Sequence, residues 1–478
     1  MAPSRLESEF IEWSFDLFGS QPVWKIEPSI DAIAKVMHSE IPNGSKSRRG
    51  DNEPQLFAEG AFNKLYIMNH DEIPYILRVS LPVDPYYKVA SEVATLSLIR
   101  SSTSLIVPEV IAHHAESPEK RIEGGCGVDN PLGLEWILMK KLPGQALAEV
   151  WDNISIDSKI SLVESIADSL HELYVCEAAR SSLIGNIYQE SPHPTGQSSN
   201  LISYETGRIV SMPFFWNQRL SQSVHRGPFS SSAEWLTARL LLVINECNIL
   251  IDNFCENMGD IDEKYDAKKS KSIAQRLQKC LPGFCSDQQE TFCLHHDDIS
   301  LHNILINSTG GLAGIVDWEC VSIVPAWKSC QVPFFLTNTA PPRASKPRAE
   351  DYLEYDGSLN DLYFTHIKEW EITILRKRFL EYMETKDSDW IRVYESSRRI
   401  RDFEYAVQHC DNEMMIERII AWLYMVENKQ QYWSLQMMPY LKEVDSRGCG
   451  KSAEAHILIR QYIPNPVFQE FARRSQDI

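Results

Sequence analysis

Hydrophobic residues recur at helical spacing near the start of the chain and again over its second half. Within residues 9–40, the spacing of Phe10, Trp13 and Leu17 predicts helix, and the pattern continues through residues 30–36. From residue 156 onward most segments are again helical by pattern, with a break near Asp387. These patterns predict a large, mainly helical unit in the second part of the chain.

A strand-rich stretch precedes that helical unit. The predicted elements are strands at 64–68, 75–79 and 135–139, a hairpin turn at 69–74 and a helix at 88–100. The strand positions are rich in Ile, Leu, Tyr and Val, which favour pleated structure. Pro143 and Gly144 follow directly after the last strand and break the chain. We therefore expect a hinge between the two units at this dipeptide.

The most informative segment, residues 291–319, reads TFCLHHDDISLHNILINSTGGLAGIVDWE. Two short apolar runs flank Gly310, so the segment predicts a β-hairpin. Asn303 and Asp317 each lie seven residues from Gly310, which places both at the open end of that hairpin. Asp298 lies on the loop that enters the same end. The pattern thus predicts two carboxylates and an amide oxygen in one small space.

Such a set of oxygens suits a hard divalent cation such as Mg²⁺, and a carboxylate that is not a ligand can accept the proton of a hydroxyl. Together these are the parts of a phosphoryl-transfer site. An ordinary solvated acidic turn is one alternative. A metal-dependent hydrolase is another, with ligands drawn from His295, His296, Asp297, Asp298 and His302. Adjacent histidines on a strand point to opposite faces, which disfavours the hydrolase.

The composition excludes several classes of function. The 478 residues carry 47 Lys and Arg against 66 Asp and Glu, and this net charge of −19 disfavours binding to nucleic acid. No apolar run reaches the roughly 20 residues that a membrane-spanning helix needs. The 11 cysteines form no CxxC pair, so we expect neither a zinc site nor a disulfide framework. With no evident transit peptide, we expect a cytoplasmic protein.

HDDISLHN followed by IVDWE resembles the catalytic loop and metal-binding motif of the aminoglycoside phosphotransferase family, whose members are kinase-like enzymes. Further segments resemble that family in the same order. FAEGAFNKLYIM is similar to its nucleotide-loop hairpin, YILRVSLP and SEVATLSLIR to the next strand and helix, and EWILMKKLPGQAL to its hinge. LIGNIY, FFWNQRL and RGPFSSSAEWL resemble its fungal-type branch of phosphotransferase-domain or mitochondrial-inheritance-like proteins. The resemblance covers roughly residues 25–340.

The resemblance implies an α+β, two-lobed protein-kinase-like fold with a small antiparallel-sheet N-lobe and a large, mainly helical C-lobe. The expected domains are an N-terminal helical extension at 1–50, the nucleotide-binding N-lobe at 51–142, the C-lobe with the catalytic loop and a helical insertion at 143–345, and a helical C-terminal extension at 346–478. The resemblance also leaves a mitochondrial location open.

Individual residues acquire roles from the same resemblance. Asp298 matches the catalytic base, and His296 matches the loop histidine that supports it through hydrogen bonds. Asn303 and Asp317 match the Mg²⁺ ligands, and Glu319 is expected to assist the metal through water. The residues expected to hold ATP are Gly60 and Phe62 in the loop over the phosphates, Arg78 and Glu92 on the next strand and helix, and Met139, Lys140, Lys141 and Leu142 in the hinge.

Two positions depart from the family pattern. Arg78 stands where the family has Lys, with Glu92 as its expected ion-pair partner. Because Arg is planar and always charged, it can still contact a phosphate, and a salt bridge without a catalytic role is the alternative. The phosphate loop has a single glycine, Gly60. Lys64 on the next strand could supply charge there or be an exposed strand lysine.

The short separation of Asp317 from Pro325 leaves no room for the activation segment of a protein kinase. We therefore expect an ATP- and Mg²⁺-dependent phosphotransferase that acts on a hydroxyl group of a small molecule bound near Phe214, Trp216 and Arg226. A catalytically weak or inactive kinase-fold nucleotide-binding protein is the first alternative, and the metal-dependent hydrolase is the second. The sequence indicates neither the identity of the acceptor nor the oligomeric state.

Overall fold

The computed structural model describes residues 10–16, 19–42, 53–116, 130–190, 203–217, 219–253, 261–285, 289–337, 343–429 and 434–435. Its strands are β1 Ile11–Asp16, β2 Gly19–Trp24, β3 Gln55–Glu59, β4 Asn63–His70, β5 Ile73–Ser80, β6 Val110–His114, β7 Glu135–Lys140, β8 Gln145–Ala146, β9 Asn186–Gln189, β10 Tyr204–Gly207, β11 Phe292–His295, β12 Ile304–Ile306, β13 Leu312–Ile315 and β14 Ser322–Pro325. Its α-helices are α1 Ile30–Glu40, α2 Tyr87–Ser102, α3 Leu147–Val150, α4 Ile156–Val175, α5 Met212–Phe215, α6 Ser232–Asp252, α7 Ile261–Cys280, α8 Ala326–Ser329, α9 Asp361–Lys386, α10 Ser388–Ser396, α11 Arg398–His409 and α12 Glu413–Glu427.

The chain divides into two compact units, each built from two stretches of sequence. The first unit is Met1–Ser232 with Glu290–Tyr394, and the second is Ala233–Gln289 with Glu395–Ile478. Mixed helix and strand with a small antiparallel sheet confirm the predicted α+β class. The domain boundaries predicted from the sequence stay a prediction.

A five-stranded antiparallel sheet in the order β3-β4-β5-β7-β6 forms the amino-terminal part of the first unit. The three strands predicted from the sequence lie within β4, β5 and β7. The turn between β4 and β5 is tighter than predicted and consists of Asp71 and Glu72, both with positive φ. Two such residues match the right-handed twist of the strands that they join.

The side chains of β5 alternate between the two faces of the sheet, and this alternation determines which helix lies over Arg78. Leu77 is buried on the face that α1 covers with Ile33. Ile76 packs on the opposite face with Val89 of α2. Since Arg78 is two residues from Ile76, it shares the face that α2 covers.

The first strands, β1 and β2, pair as an antiparallel hairpin, so the helix predicted for this segment is wrong. Ile11 and Trp13, two residues apart, both pack into an apolar cluster that also contains Phe62. That period of two belongs to a strand, whereas the spacing of apolar residues alone fitted a helix. Leu17 lies outside the described residues. The later part of the same prediction is confirmed by α1, whose first turn is capped by the side chain of Ser29.

The remainder of the first unit is mainly helical, with short strands around the predicted hairpin. Strand β12 lies between β13 and β8, and β11 pairs with β14. Helices α4 and α9 pack together around Phe379. The break predicted near Asp387 is confirmed, because α9 ends there and Asp387 Oδ1 accepts hydrogen bonds from the backbone N–H groups of Asp389 (2.9 Å) and Trp390 (3.1 Å).

The second unit is helical in its described part, which contains α7, α11, α12 and α6 beyond Ser232. It buries an ion pair, in which Arg239 donates to Glu404 Oε1 (2.5 Å) while its guanidinium lies over the ring of Trp235 (5.1 Å). None of the described helices in either unit is long and apolar enough to cross a membrane.

Gly144, in the predicted hinge, supplies a test of this architecture. Its φ is +113°, and a Cβ at this position would lie 2.5 Å from the carbonyl oxygen of Ile306 in β12. We expect Gly144→Ala to lower the free energy of unfolding by about 2–4 kcal/mol, because both the backbone conformation and the space exclude a side chain. Gly283→Ala is the control, since no atom lies within 4 Å of the added Cβ. Urea unfolding measures both, and equal effects would contradict the prediction.

Candidate active site

The hairpin predicted between residues 303 and 317 forms from β12 and β13. Gly310 lies in its turn with φ +83°, a conformation that glycine adopts without strain. The backbone N–H of Val316 donates to the carbonyl oxygen of Asn303 (2.9 Å). Asn303 and Asp317 therefore lie together at the open end, as the register of the sequence predicts.

Asp298 lies at this open end and is held there by Asn303. The buried Asn303 uses its Nδ2 to donate to Asp298 Oδ2 (2.7 Å) and to the carbonyl oxygen of Asp298 (3.0 Å). Because the amide nitrogen is occupied, Asn303 Oδ1 is the atom left to bind a cation. The Asp298 side chain is exposed, and its Oδ1 accepts no hydrogen bond from a described residue. One oxygen is thus fixed and the other is open.

His296 supports this loop as a neutral imidazole. Its ring is buried, and burial lowers the pKa of His296 to about 4. The backbone N–H of Asp298 lies 3.3 Å from Nδ1, and Nε2 lies 3.4 Å from the carbonyl oxygen of Val316. A neutral ring satisfies both partners when the proton is on Nε2. The ring also packs edge-on against Trp318 (4.9 Å between centroids), so His296 fixes the backbone that carries Asp298.

Asp297 and Asp298 are adjacent but have different surroundings. Asp297 Oδ1 lies 3.2 Å from Lys328 Nζ and 3.3 Å from His295 Nε2. The charge of Lys328, with the hydrogen bond from His295, holds the pKa of Asp297 well below its usual value. Asp297 is therefore engaged in a local charge cluster. Of the two, Asp298 has the open oxygen that can accept a proton from a hydroxyl.

The segment after β13, residues 316–321, carries two carboxylates on a strained backbone, and we call it the metal loop. Asp317 and Cys320 have φ of +63° and +60°, a conformation that costs roughly 1 kcal/mol for a residue other than glycine. Restricted solvation and the nearby Glu319 charge raise the pKa of Asp317. Burial also acts to raise the pKa of Glu319, but the charges of Lys88 and Arg78 outweigh it and lower that pKa.

Arg78 forms the predicted ion pair with Glu92. Both side chains are buried, and Arg78 NH2 contacts Glu92 Oε2. The other terminal nitrogen, NH1, lies 3.7 Å from Asp317 Oδ1 and 3.9 Å from Glu319 Oε2. The guanidinium thus stands between the carboxylate of α2 and the metal loop. Because desolvation offsets much of the attraction in a buried pair, its effect is to fix positions more than to add stability.

A buried lysine beside this pair is a polar group that the sequence reasoning missed. Lys88 is 1% exposed, and its Nζ lies 2.6 Å from Glu319 Oε2 and donates to Asn63 Oδ1 (2.9 Å). Asn63 Nδ2 in turn donates to Glu319 Oε2 (2.8 Å). One signal was present in the sequence, since Lys88 precedes Glu92 by four residues and therefore shares its helix face.

The hinge retains one open backbone donor. The N–H of Lys140 donates to the carbonyl oxygen of Glu109 (3.0 Å), and that of Lys141 donates to Pro74 (2.9 Å). The N–H of Leu142 makes no hydrogen bond to another described residue. Of the four predicted hinge residues, Leu142 therefore has the N–H that a nucleotide base could use, and the buried Met139 lies in the core beneath it.

The turn between β3 and β4, residues 60–62, is the predicted phosphate loop. The N–H of Gly60 donates to the carbonyl oxygen of Asn63 (2.9 Å), which makes the turn tight. Phe62 is buried, and its ring packs edge-on against Phe215 (5.4 Å) and Trp216 (6.0 Å). The ring of Phe62 is thus used in packing and anchors the tip of the loop.

Other positions considered from the sequence have structural roles. Lys64 is buried, and its Nζ lies 2.6 Å from Glu27 Oε2 and 3.1 Å from Glu59 Oε1. It is therefore neither an exposed lysine nor a charge left for a phosphate. Phe214 is fully buried, and Arg226 donates to the carbonyl oxygen of Phe214 (2.5 Å). Packing and a backbone hydrogen bond therefore engage Phe214 and Arg226 themselves, and the binding of an acceptor near Phe214, Trp216 and Arg226 stays a prediction.

The donor set at the open end of the hairpin fits Mg²⁺. Asn303 Oδ1 and the Asp317 carboxylate would supply two oxygen ligands, and Mg²⁺ usually takes one or two carboxylates together with waters and substrate phosphates. Within the described residues, the carboxylates around this point are Asp298, Asp317, Glu319 and Glu92, and the cations paired with them are Arg78 and Lys88. A divalent cation would balance the excess negative charge.

Comparison with protein-family models gives a match to this chain. The model of the phosphotransferase enzyme family (APH) matches residues 53–328, more than half of the chain. A subtelomeric hrmA-associated cluster protein of Aspergillus fumigatus is 23% identical over 317 residues, which cover 58% of this chain and 59% of the relative. The corresponding protein of a second A. fumigatus strain matches to the same extent. The chain thus spans about 59% of the length of these curated relatives.

Solved structures that match this chain include aminoglycoside and macrolide phosphotransferases. A thermostable mutant of APH(4)-Ia in complex with AMP-PNP and hygromycin B is 13% identical, with 84% of this chain and 100% of that chain covered and a TM-score of 0.40. Macrolide 2'-phosphotransferase type I is 11% identical, with 89% and 100% covered and a TM-score of 0.34.

The buried His296 predicts a specific dependence of stability on pH. Between pH 6.5, the ordinary pKa of histidine, and pH 4 the unfolded chain binds a proton on this ring that the folded chain does not. The free energy of unfolding therefore falls as the pH is lowered through this window, by roughly 3 kcal/mol in all. We expect His296→Asn to flatten this part of the curve. Urea unfolding at a series of pH values measures it, and parallel curves for the two proteins would refute the prediction.

Proposed function

This chain belongs to the phosphotransferase enzyme family, and from that premise we propose that it transfers the γ-phosphoryl group of ATP to a hydroxyl group of a small molecule. The observation that carries the proposal is the state of Asp298. Asn303 fixes one carboxylate oxygen at 2.7 Å, and the other is open at the mouth of the hairpin that also bears Asp317. A base held in this way needs no reorganisation before it meets a hydroxyl.

The proposed reaction assigns a separate task to each of these residues. Asp298 Oδ1 accepts the proton as the acceptor oxygen bonds to the γ-phosphorus and the bond to the β-phosphate oxygen breaks. Asn303 Oδ1 and the Asp317 carboxylate would hold Mg²⁺. When bound, Mg²⁺ supplies charge neutralisation on the phosphate oxygens. His296, neutral at physiological pH, keeps the backbone of Asp298 in place and does not take the proton itself.

Two features support ATP as the donor. The N–H of Leu142 is the open hinge donor that an adenine ring can use. Arg78, paired with Glu92, has its NH1 3.7 Å from Asp317 Oδ1 and can contact a phosphate that shares a cation with that carboxylate. Arginine has a planar guanidinium with several donors, whereas lysine has a compact ammonium group. The contacts to the phosphate therefore differ from those that a lysine at this position would make.

A small acceptor is favoured by the length of the chain after the metal loop. Strand β14 begins at Ser322 and pairs with β11, only a few residues after Asp317. A protein kinase needs a long activation segment at this point to bind a peptide. We propose a hydroxyl-bearing small molecule, and a cytoplasmic location for the reaction.

A nucleotide-binding protein without transfer activity is the second candidate. The observation that favours it is the packing of Phe62 against Phe215 and Trp216, which restrains the phosphate loop. The metal-dependent hydrolase has less support. Among the described residues, no group of three or more His, Cys, Asp or Glu side chains is arranged to hold a metal, and His296 is committed to backbone groups.

Substitution of the base tests the proposed transfer. We expect Asp298→Asn to lower kcat roughly 100- to 10,000-fold, because the amide cannot accept the proton, while the Kd for Mg-ATP changes less than about threefold. Asp297→Asn is the matched control, since that neighbour is engaged by Lys328 and His295. Steady-state transfer to a library of hydroxyl compounds measures kcat, and slow ATP hydrolysis measures it without an acceptor. Equal activity in wild type and Asp298→Asn would exclude this role.

A joint stabilisation by ATP and Mg²⁺ tests the metal site. With both at 100 times the Kd, we expect the free energy of unfolding to rise by about 2.7 kcal/mol. In Asp317→Ala this joint effect should vanish, because one of two protein ligands is lost. The exposed Asp351→Ala is the control and should retain it. Thermal unfolding with ATP alone, Mg²⁺ alone and both gives the answer, and an unchanged joint effect in Asp317→Ala would place the metal elsewhere.

A further inference from the structure

We propose that Lys88 is a positioning residue that connects the phosphate loop to the metal loop. By neutralising the charge of Glu319, it also allows Arg78 to pair with Glu92 and to contact the nucleotide. The inference rests on the proposed function, because it concerns how the same site is held in its active geometry. The sequence motifs assign no role to this lysine, and only its spacing of four residues from Glu92 places it on the same helix face.

The contacts of Lys88 reach both loops from one ammonium group. Its Nζ lies 2.6 Å from Glu319 Oε2 in the metal loop and 2.9 Å from Oδ1 of Asn63, the residue that closes the phosphate loop. Asn63 also donates to the same Glu319 oxygen (2.8 Å) and accepts from Ser80 Oγ (3.1 Å). The three side chains therefore form a closed set of hydrogen bonds, so a shift of either loop breaks at least one of them.

The hydrogen bonds among Lys88, Asn63 and Glu319 lie next to Arg78 and influence which carboxylate it pairs with. Arg78 NH1 lies 3.9 Å from Glu319 Oε2, the oxygen that Lys88 and Asn63 already engage. The guanidinium pairs through NH2 with Glu92 instead. Without the Lys88 charge, Glu319 would be a poorly compensated carboxylate with Arg78 as the nearest cation. Arg78 would then be drawn toward Glu319 and away from Glu92 and the phosphate position.

Glu319 also determines the backbone of the metal loop. It lies between Asp317 and Cys320, the two residues with left-handed φ. Strained conformations persist where the surrounding contacts over-determine them, and the bonds from Lys88 and Asn63 are such contacts. The lysine thus acts on Asp317 through Glu319, two residues away.

A direct contact between Lys88 and a phosphate is the competing explanation, and the two differ in what happens when Glu319 is neutral. If Lys88 acts through Glu319, replacing Lys88 does not weaken nucleotide binding further once Glu319 has been neutralised. If Lys88 binds phosphate itself, its removal weakens binding whether or not Glu319 is charged.

Binding of Mg-AMP-PNP to the 478-residue chain, measured by titration calorimetry, separates the two explanations. We expect Lys88→Met to raise the Kd at least about tenfold, since a charge-assisted hydrogen bond is lost and a buried carboxylate is left behind. The double variant Lys88→Met/Glu319→Gln should bind within about threefold of Glu319→Gln alone. A double variant that is tenfold or more weaker than Glu319→Gln overturns the inference. This comparison remains valid if Lys88→Met alone does not fold, because the double variant has no unpaired buried charge.

Lys159→Met is the matched control for removal of a buried lysine. Lys159 lies in the first turns of α4, is 2% exposed and pairs with Glu371 at 2.7 Å. It should lose stability without a change in the Kd for Mg-AMP-PNP. Wild-type protein that does not bind Mg-AMP-PNP refutes the proposed function and this inference together. Wild-type binding with an unchanged Kd in Lys88→Met refutes this inference alone.

Discussion

The arrangement of the site depends on the compensation of buried carboxylates by two cations that come from different elements. Arg78 reaches Glu92 from the sheet, and Lys88 reaches Glu319 from the helix beside it. Neither carboxylate could remain charged in the interior without its partner, because transfer of an isolated ion from water costs several kcal/mol. Burial and the neighbouring Glu319 charge raise the pKa of Asp317, whose paired cation, Arg78 NH1, lies 3.7 Å from its Oδ1. The remaining negative charge is the physical reason why this place suits a divalent metal.

The same compensation connects segments that lie far apart in the sequence. The sheet contributes Arg78 and Asn63, the helix contributes Lys88, and the metal loop contributes Glu319. Lys88 and Asn63 are buried, and the contacts that link them to each other and to Glu319 are 2.6–2.9 Å long. Asp298 differs from all of them in that its carboxylate is exposed and half open. The site thus combines a rigid buried charge network, which sets geometry, with one accessible base, which does the proposed chemistry.

Local patterns predicted well the parts whose geometry is set by neighbours in sequence. The hairpin around Gly310 has a fixed register, so counting residues placed Asn303 and Asp317 together. The pairing of Arg78 with Glu92 followed from a resemblance in motif order. The first hairpin was mistaken for a helix, because Ile11 and Trp13 find their apolar partners, including Phe62, only in the folded chain. Lys64 shows the same limit, since its partner Glu27 precedes the sheet and gives no signal in the strand itself.

The sequence by itself predicted that Asn303, Asp317 and Asp298 lie together, because short-range register and turn chemistry fix a hairpin, and its resemblance to a known family implied the class of fold and the candidate roles of these residues. Tertiary structure alone decided which charged groups are engaged by a partner and which keep an accessible atom. It engaged Asp297 with Lys328, left one carboxylate oxygen of Asp298 open, used the N–H groups of Lys140 and Lys141 in backbone hydrogen bonds, and brought Lys88 to Glu319. The reason is that the energy of interaction between two charges depends on their separation and their burial. Both quantities are set by the folded chain and cannot be read from the order of its residues.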